Sequence, residues 1–508
     1  MAPGMPSVNS KKMFAIVAVI ILFIAAFALW NRQGIGPEKK KEGVGGLEGW
    51  PPENAATTTR NRDNNEPTIV FDPSDQQTIV TGSNDYNTPQ GDAWVGYSTS
   101  HDGGKTWTEG LIPGYPGSGD INELTGFRGA GDPVLAAASD GSIYMAGIAF
   151  KRALNPLNPI GFGITAGRGS CIFVAKSTDH GDTFSQVHVV WWNSQNLLHF
   201  NDKEWLAVDP NTGNVYIIWA IFTALMVAQM YFSKSTDGGV SWSLPTVVTE
   251  RSGAEFNVQG SHIEVDMDSN IHITWIDFGT GQIRYTKSLD EGGSWEPVQD
   301  IAPITPIPNA LPNGNYRTPT MTMMDIDRSE TDTRGSVYVV WADYSNGDAD
   351  AFLVASHDNG ESWGQPVRAN NDTVGNGADQ FFPDVSVSEE GWVHVTFYDR
   401  RNDTNNTMLE YWWAVSFDGG NNFSYNFPIS DASFNGDYSR SNDNDFIGDY
   451  TGVDTINTTL GAVWCDTREA SETTGDDEIY AAVFDYMNAI DLLGVEHPAP
   501  GENATSEK

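Results

Sequence analysis

Cysteine is almost missing from this chain: Cys171 and Cys465 are the only two among 508 residues. A disulfide-built scaffold is thereby excluded, and two isolated thiols supply neither zinc-ligand nor redox spacing. Both lie in apolar runs of strand character, in different repeats, which predicts two buried free thiols. Positive charge is also scarce. Lys and Arg number 28 against 67 Asp and Glu, a formal net charge of −39. Nucleic acid is excluded as a partner, because phosphate binding needs a basic face. The excess reads as an acidic, solvated surface, and any anion site must be locally basic. Long apolar runs are scarce too. Residues 13–30 form the one run long enough to span a bilayer, uncharged and preceded by Lys11 and Lys12. It exceeds the core of a typical signal peptide. Ala26 and Ala28 still offer a small-x-small cleavage site, so a secreted chain is the alternative to a single-pass anchor. Residues 1–12 then form a cytoplasmic stretch or n-region. Residues 31–62 form a flexible Gly-, Pro- and charge-rich linker, 63–490 the folded domain, and 491–508 a polar tail. Asn-x-Ser/Thr triplets at Asn371, Asn402, Asn405, Asn422, Asn457 and Asn503 fit an exported, extracellular surface.

What the chain does have is repetition. The pattern Ser-x-Asp-x-Gly-x-(Thr/Ser)-(Trp/Phe) places an Asp at 102, 179, 237, 290 and 358, and a looser copy ends at Phe423 with Asp418. Each copy separates two extended stretches, so it reads as a hairpin turn. The Asp accepts backbone N–H groups, the Gly supplies positive φ, and the aromatic residue folds back as a cover. A second repeat interleaves with the first: apolar strands ending in an aromatic residue, such as 215–219, 271–275, 337–341, 393–397 and 460–464. An earlier strand often opens with a proline: Pro67, Pro133, Pro319, Pro383. The unit is therefore strand, strand, strand, turn, strand, the pattern of a four-stranded antiparallel propeller blade. Seven such units are counted, at roughly 60 residues each. The fold class is all-β, a seven-bladed β-propeller behind one N-terminal transmembrane helix, with six blades as the alternative. In the seventh unit Asp485 holds the Asp position, but Val483 and Met487 replace the Ser and the Gly.

The six turns resemble the Asp box, or BNR repeat, of the sialidase (neuraminidase) superfamily, over about residues 66–486. Strand order places every box between the third and fourth strands of its blade, at the bottom face, where Asp102, Asp179, Asp237, Asp290, Asp358 and Asp418 are structural. Ligands of propellers meet the opposite, top mouth. The resemblance implies three arginines that grip a carboxylate, a tyrosine nucleophile assisted by a glutamate, and an aspartate acid/base. The family's first arginine opens its first blade in Arg-Ile-Pro. Here Asn65 stands in its place, in Asn65-Glu66-Pro67.

Top-face candidates are Tyr450 as nucleophile and Asp85 as acid. Arg317, Arg401, Arg468 and Arg128 are candidates for an anionic ligand, and Trp192 for stacking on a sugar ring. The bland alternatives are arginines that pair with neighbouring carboxylates and a Trp that packs between blades. Asp343, Asp348 and Asp350 form an oxygen-rich loop for calcium, although EF-hand spacing is not met. No cofactor is required. The expected function is a membrane-tethered, extracellular, monomeric propeller whose top face recognises a glycan or a cell-surface protein. An exo-glycosidase of sialidase type, or another carbohydrate-active hydrolase using a top-face pair such as Asp399 and Asp466, are the alternatives.

Overall fold

The computed structural model describes residues 49–59, 63–86, 93–151, 169–192, 199–223, 228–248, 258–439, 445–471 and 474–498. The expected anchor at 13–30 lies outside them; among the described residues no helix is long and apolar enough to cross a membrane.

Seven antiparallel sheets succeed one another along the chain, six of four strands and one of five. They are seven blades, not six. Their innermost strands are Asn64–Asp72, Gly129–Ala137, His199–Val208, Val258–Val265, Met323–Ile326, Gln380–Val387 and Gly452–Ile456. The fifth strand, Phe434–Asn435, extends blade 6 by pairing with Met408 and Leu409. Second strands are buried on both faces, as near-continuous Val/Ile/Trp runs require. Their Trp219, Trp275, Trp341 and Trp464 are all buried between blades. Each such ring removes roughly 150–250 Å² from water, about 4–6 kcal/mol as an upper estimate.

The ring closes in a way the composition hides. Asn54–Ala56, inside the stretch expected to be a linker, is the outermost strand of blade 7, with Asn54 opposite Ala482 and Ala56 opposite Tyr480. The three-residue Asn-Ala-Ala strand has no alternation or β-branching, and its partner lies at the other end of the chain. The start of the expected polar tail also packs. A short helix, Tyr486–Leu492, follows the last strand, Ile490 and Val495 are buried, and the His497 ring lies 5.3 Å from that of Trp392.

All six repeated turns share one hydrogen-bond scheme. At Ser100, Oγ accepts Gly104 N–H at 2.9 Å and donates to Asp102 Oδ1 at 2.9 Å, while Asp102 accepts Thr106 N–H at 2.9 Å. Each turn also packs on the preceding blade. A Cβ on Gly360, whose φ is +79°, would stand 2.0 Å from the Tyr285 hydroxyl of blade 4. In blade 7 the degenerate turn is replaced by the short helix. Asp485 caps it by accepting Asn488 N–H at 2.8 Å, and the Tyr486 hydroxyl bonds to Glu390 of blade 6.

The axis carries a second stitching. Asp325, Asp384 and Asp454, each on an innermost strand, accept N–H groups from the next blade: Val387 at 2.7 Å, Val453 at 2.9 Å and Phe71 at 2.9 Å. Burial pushes Asp384 up to about 8 and Asp454 up to about 7.

Candidate functional site

Five of the seven innermost strands break register at the same point, where the chain enters from the top face. At each break one residue adopts positive φ: Glu66 (54°), Asp132 (57°), Lys203 (50°), Gly260 (66°) and Phe382 (50°). A bulge of this kind re-aims a side chain out of the pleat, and for a residue other than glycine the conformation costs on the order of 1 kcal/mol or more. Here it brings charged side chains from three blades to one point.

Lys203 is that point. Its ammonium lies 3.0 Å from Glu66 Oε1, 2.9 Å from Asp132 Oδ2 and 2.7 Å from Asp449 Oδ2, and its side chain is 6 % exposed. Arg317 closes the cluster from blade 5, donating from Nε to Asp449 Oδ1 at 2.7 Å and from Nη2 to Asp449 Oδ2 at 2.6 Å. Asn84 donates to Glu66 Oε2 at 2.6 Å and to Asn65 Oδ1 at 2.9 Å, and it accepts Asp132 N–H at 2.9 Å.

The charges balance by unequal protonation. Burial, reinforced by the Asp132 carboxylate, drives Glu66 well above the usual carboxylate range. Burial opposes ionisation of Asp449 as well, but the Arg317 guanidinium and the Lys203 ammonium outweigh it and hold Asp449 low. Asp132 is likewise held low, chiefly by Lys203 against its burial. A protonated Glu66 leaves two carboxylates facing two cations. Lys203 itself is driven upward by its carboxylates against its burial, so it is a locked ammonium with no lone pair to offer.

Tyr450 lies beneath this cage. Its hydroxyl donates to the Pro133 carbonyl at 2.9 Å, its ring is 5.6 Å from the Lys203 ammonium, and the residue is 2 % exposed. Burial, then the neighbouring Glu66 and Asp132 carboxyls, push its phenol far above its ordinary value. Arg317 is the part of the cage that meets solvent: its side chain is 50 % exposed and its guanidinium lies 4.4 Å over the Phe446 ring. Half-buried Asp202 sits close by, raised to about 7 by desolvation despite Lys203. Glu204, buried beside them, has no donor to either carboxyl oxygen among the described residues, and burial raises it strongly.

The three arginines singled out in the sequence do not converge. Arg401 pairs with Asp399 at 2.7 Å, donates to Asn371 at 2.6 Å and lies 4.2 Å over Trp412. Arg468 pairs with Asp466 at 2.7 Å and with Asp431, and lies 4.0 Å over Tyr480. Arg401 and Arg468 thus bind separate aspartates of blades 6 and 7, whereas Arg317 is bound to Asp449 in the Lys203 cage. Asp85 is buried at the end of the second strand of blade 1, opposite Asn64 and Trp94. Its counterparts reveal a second repeated turn: Asp277, Asp343, Asp399 and Asp466 accept the N–H two residues on, from Gly279, Ser345, Arg401 and Arg468, at 2.7–2.9 Å.

In the oxygen-rich loop the three carboxylates all have partners within the protein, and Asp348 Oδ1 is buried without one among the described residues. Asp343 accepts Thr305 N–H at 2.7 Å, Asp348 accepts Gly377 N–H at 2.7 Å, and Asp350 takes Arg368 at 3.0 Å and Asn346 at 2.7 Å. Among the described residues no group of three or more His, Cys, Asp or Glu is arranged to hold a metal. Cys171 and Cys465 are both free and buried. Arg128 and Trp192 both stand at strand ends of blade 2, Arg128 exposed and Trp192 at 43 % exposure.

Lys203, Asp132 and buried Arg400 escape a reading of the sequence. Arg400 pairs with Asp379 at 3.3 Å and with the Tyr316 hydroxyl. The dipeptides Glu66-Pro67, Asp132-Pro133 and Phe382-Pro383 mark three bulges, but Lys203-Glu204 breaks that pattern.

No family model matches the chain, and no curated protein matches it. Among solved structures it is similar to the Hadza microbial sialidase Hz136, at 14 % identity and a TM-score of 0.46, over 82 % of this chain and 75 % of that one. A protein of unknown function from Dyadobacter fermentans is similar at 11 % identity and a TM-score of 0.44, over 85 % of this chain and 97 % of that one. Trypanosoma rangeli sialidase in complex with the inhibitor DANA is similar at 13 % identity and a TM-score of 0.40, over 69 % of this chain and 56 % of that one. Likenesses of this strength carry nothing about chemistry, and the blade count and the cage rest on the chain's own strands and side chains.

Proposed function

We propose that the protein is a recognition module of sialidase-like, Asp-box type, whose top face binds a glycan without cleaving it. One observation carries this reading: the axial groups best placed for chemistry are already committed to one another. A tyrosine nucleophile needs an accessible oxygen and a base, whereas the Tyr450 hydroxyl is buried on a backbone carbonyl under a locked ammonium. A carboxylate-binding arginine set needs free guanidinium edges, whereas Arg317, Arg401 and Arg468 each hold an aspartate. Asp399 and Asp466 serve the same arginines and their own turns, so they are not a free acid/base pair.

In this reading the propeller acts as a monomer, needs no cofactor, and stands outside the cell on the anchor at 13–30. Its partner is a glycan, either free or carried by a cell-surface protein. The test pairs turnover with binding on the full-length chain: a fluorogenic sialoside, and a panel of immobilised acidic and neutral oligosaccharides. Binding without release of the fluorophore supports the reading. Release that disappears in Tyr450→Phe overturns it in favour of the exo-glycosidase.

A further inference from the structure

We infer that the top rim of blade 2 is the subsite for an acidic sugar, one bearing a carboxylate or a sulfate; this rests on the glycan-binding reading above. Arg128 donates its backbone N–H to the Phe150 carbonyl at 3.1 Å, one step beyond the Gly129–Phe150 register pair, so it stands opposite Lys151. Side chains directly opposite on antiparallel strands share a face, and like charges placed so are destabilising. In a chain with 67 acidic residues, neither cation meets a carboxylate among the described residues. Glu123, five residues before Arg128, is engaged by Val189 N–H at 2.7 Å and by His188 at 3.3 Å.

The aromatic half of the subsite is on the same face. Register runs from Ala149 to Cys171 and from Cys171 to Trp192, which aligns Trp192 with the Lys151 side of the sheet. The Lys151 ammonium lies 4.6 Å from the Trp192 ring centroid and 4.8 Å from that of Phe127, and the two rings meet edge to face at 5.8 Å. Phe127 is buried and holds the group in place, while Trp192 stays 43 % exposed. The face of an indole is electron-rich and the C–H groups of a pyranose ring are weakly positive, so the exposed ring is a platform for a sugar. An anionic substituent of that sugar then falls on Lys151 and Arg128, which no described carboxylate neutralises. The charge complementarity is local and opposite in sign to the rest of the protein, which selects against neutral glycans.

The full-length protein is tested by biolayer interferometry on three immobilised ligands: an oligouronate, a sulfated galactan and an uncharged galactan. Lys151→Glu, Arg128→Glu, Trp192→Ala and, as a control, Arg334→Ala, which removes an exposed cation paired only with Glu330, are compared with wild type, each first shown to keep its melting temperature. The expected result is binding of an acidic ligand that weakens with added salt. Lys151→Glu and Trp192→Ala each lose about tenfold or more, and Arg334→Ala stays within about twofold. The oligouronate and galactan arms decide between carboxylate and sulfate. Equal binding of the neutral galactan, or acidic binding indifferent to Lys151 and Trp192, overturns this subsite and leaves glycan recognition standing. No binding to any glycan overturns both.

Discussion

Replacing Lys203 by Met keeps most of the side-chain volume and removes the charge. Asp132 and Asp449 are then left as carboxylates with Arg317 as their only cation among the described residues, and three contacts of 2.7–3.0 Å are lost at once. Breaking a buried ion pair from one side costs about 3–5 kcal/mol, because the partner keeps its desolvation penalty. For a domain the size of this propeller, with about 2.1 cal/mol/K of unfolding entropy per residue, that is a Tm drop of roughly 3–5 °C. Differential scanning calorimetry at pH 7 reads it. Adding Asp132→Asn to the Lys203→Met chain removes one of the stranded charges and should recover about 1 kcal/mol or more relative to additivity. A Lys203→Met chain within about 1 kcal/mol of wild type, or strict additivity of the pair, would refute the charge-cage argument.

The axial carboxyls give a pH profile of definite sign. Asp384 and Asp454 are raised from 3.8 to about 8 and about 7, so their contribution is complete below pH 3.8 and is lost as pH rises through 7–8. The turn carboxylates Asp102 and Asp237, lowered from 3.8 to about 2, act oppositely and lose theirs as pH falls through 2. Melting scans should therefore peak at about pH 4 and decline towards pH 8, whereas a steady rise from pH 5 to 8 would contradict the assignment. Gly360→Ala forces a methyl to within 2.0 Å of Tyr285 and should cost about 3 kcal/mol or more, while Gly347→Ala, with φ +93° and open space, should cost about 1 kcal/mol; urea unfolding compares them. Tyr450→Phe should lower stability by about 1 kcal/mol through the bond lost to Pro133, and unchanged stability would show that bond to be idle.

Most of the architecture was legible because it is local. The turn residues Ser, Asp and Gly bond within a few positions of one another, and the Val/Ile/Trp runs announce strands buried on both faces. What escaped was nonlocal. Asn54–Ala56 becomes a strand only because the edge of blade 7 waits for it at the far end of the chain. The cage is half visible, in Arg317 and Tyr450, but Asp132 enters it through a bulge marked only by the proline that follows, and Lys203 through one with no such mark. Arg401 and Arg468 stay ambiguous in sequence because an Arg two places after a strand-end Asp looks the same whether it grips a ligand or its own turn.

The decisive experiment is fluorophore release from a sialoside by the full-length protein, run beside oligosaccharide binding on the same preparation. Release no faster than in buffer is expected, with binding of an acidic glycan that depends on Lys151 and Trp192. Sustained release by wild type that Tyr450→Phe abolishes would contradict it.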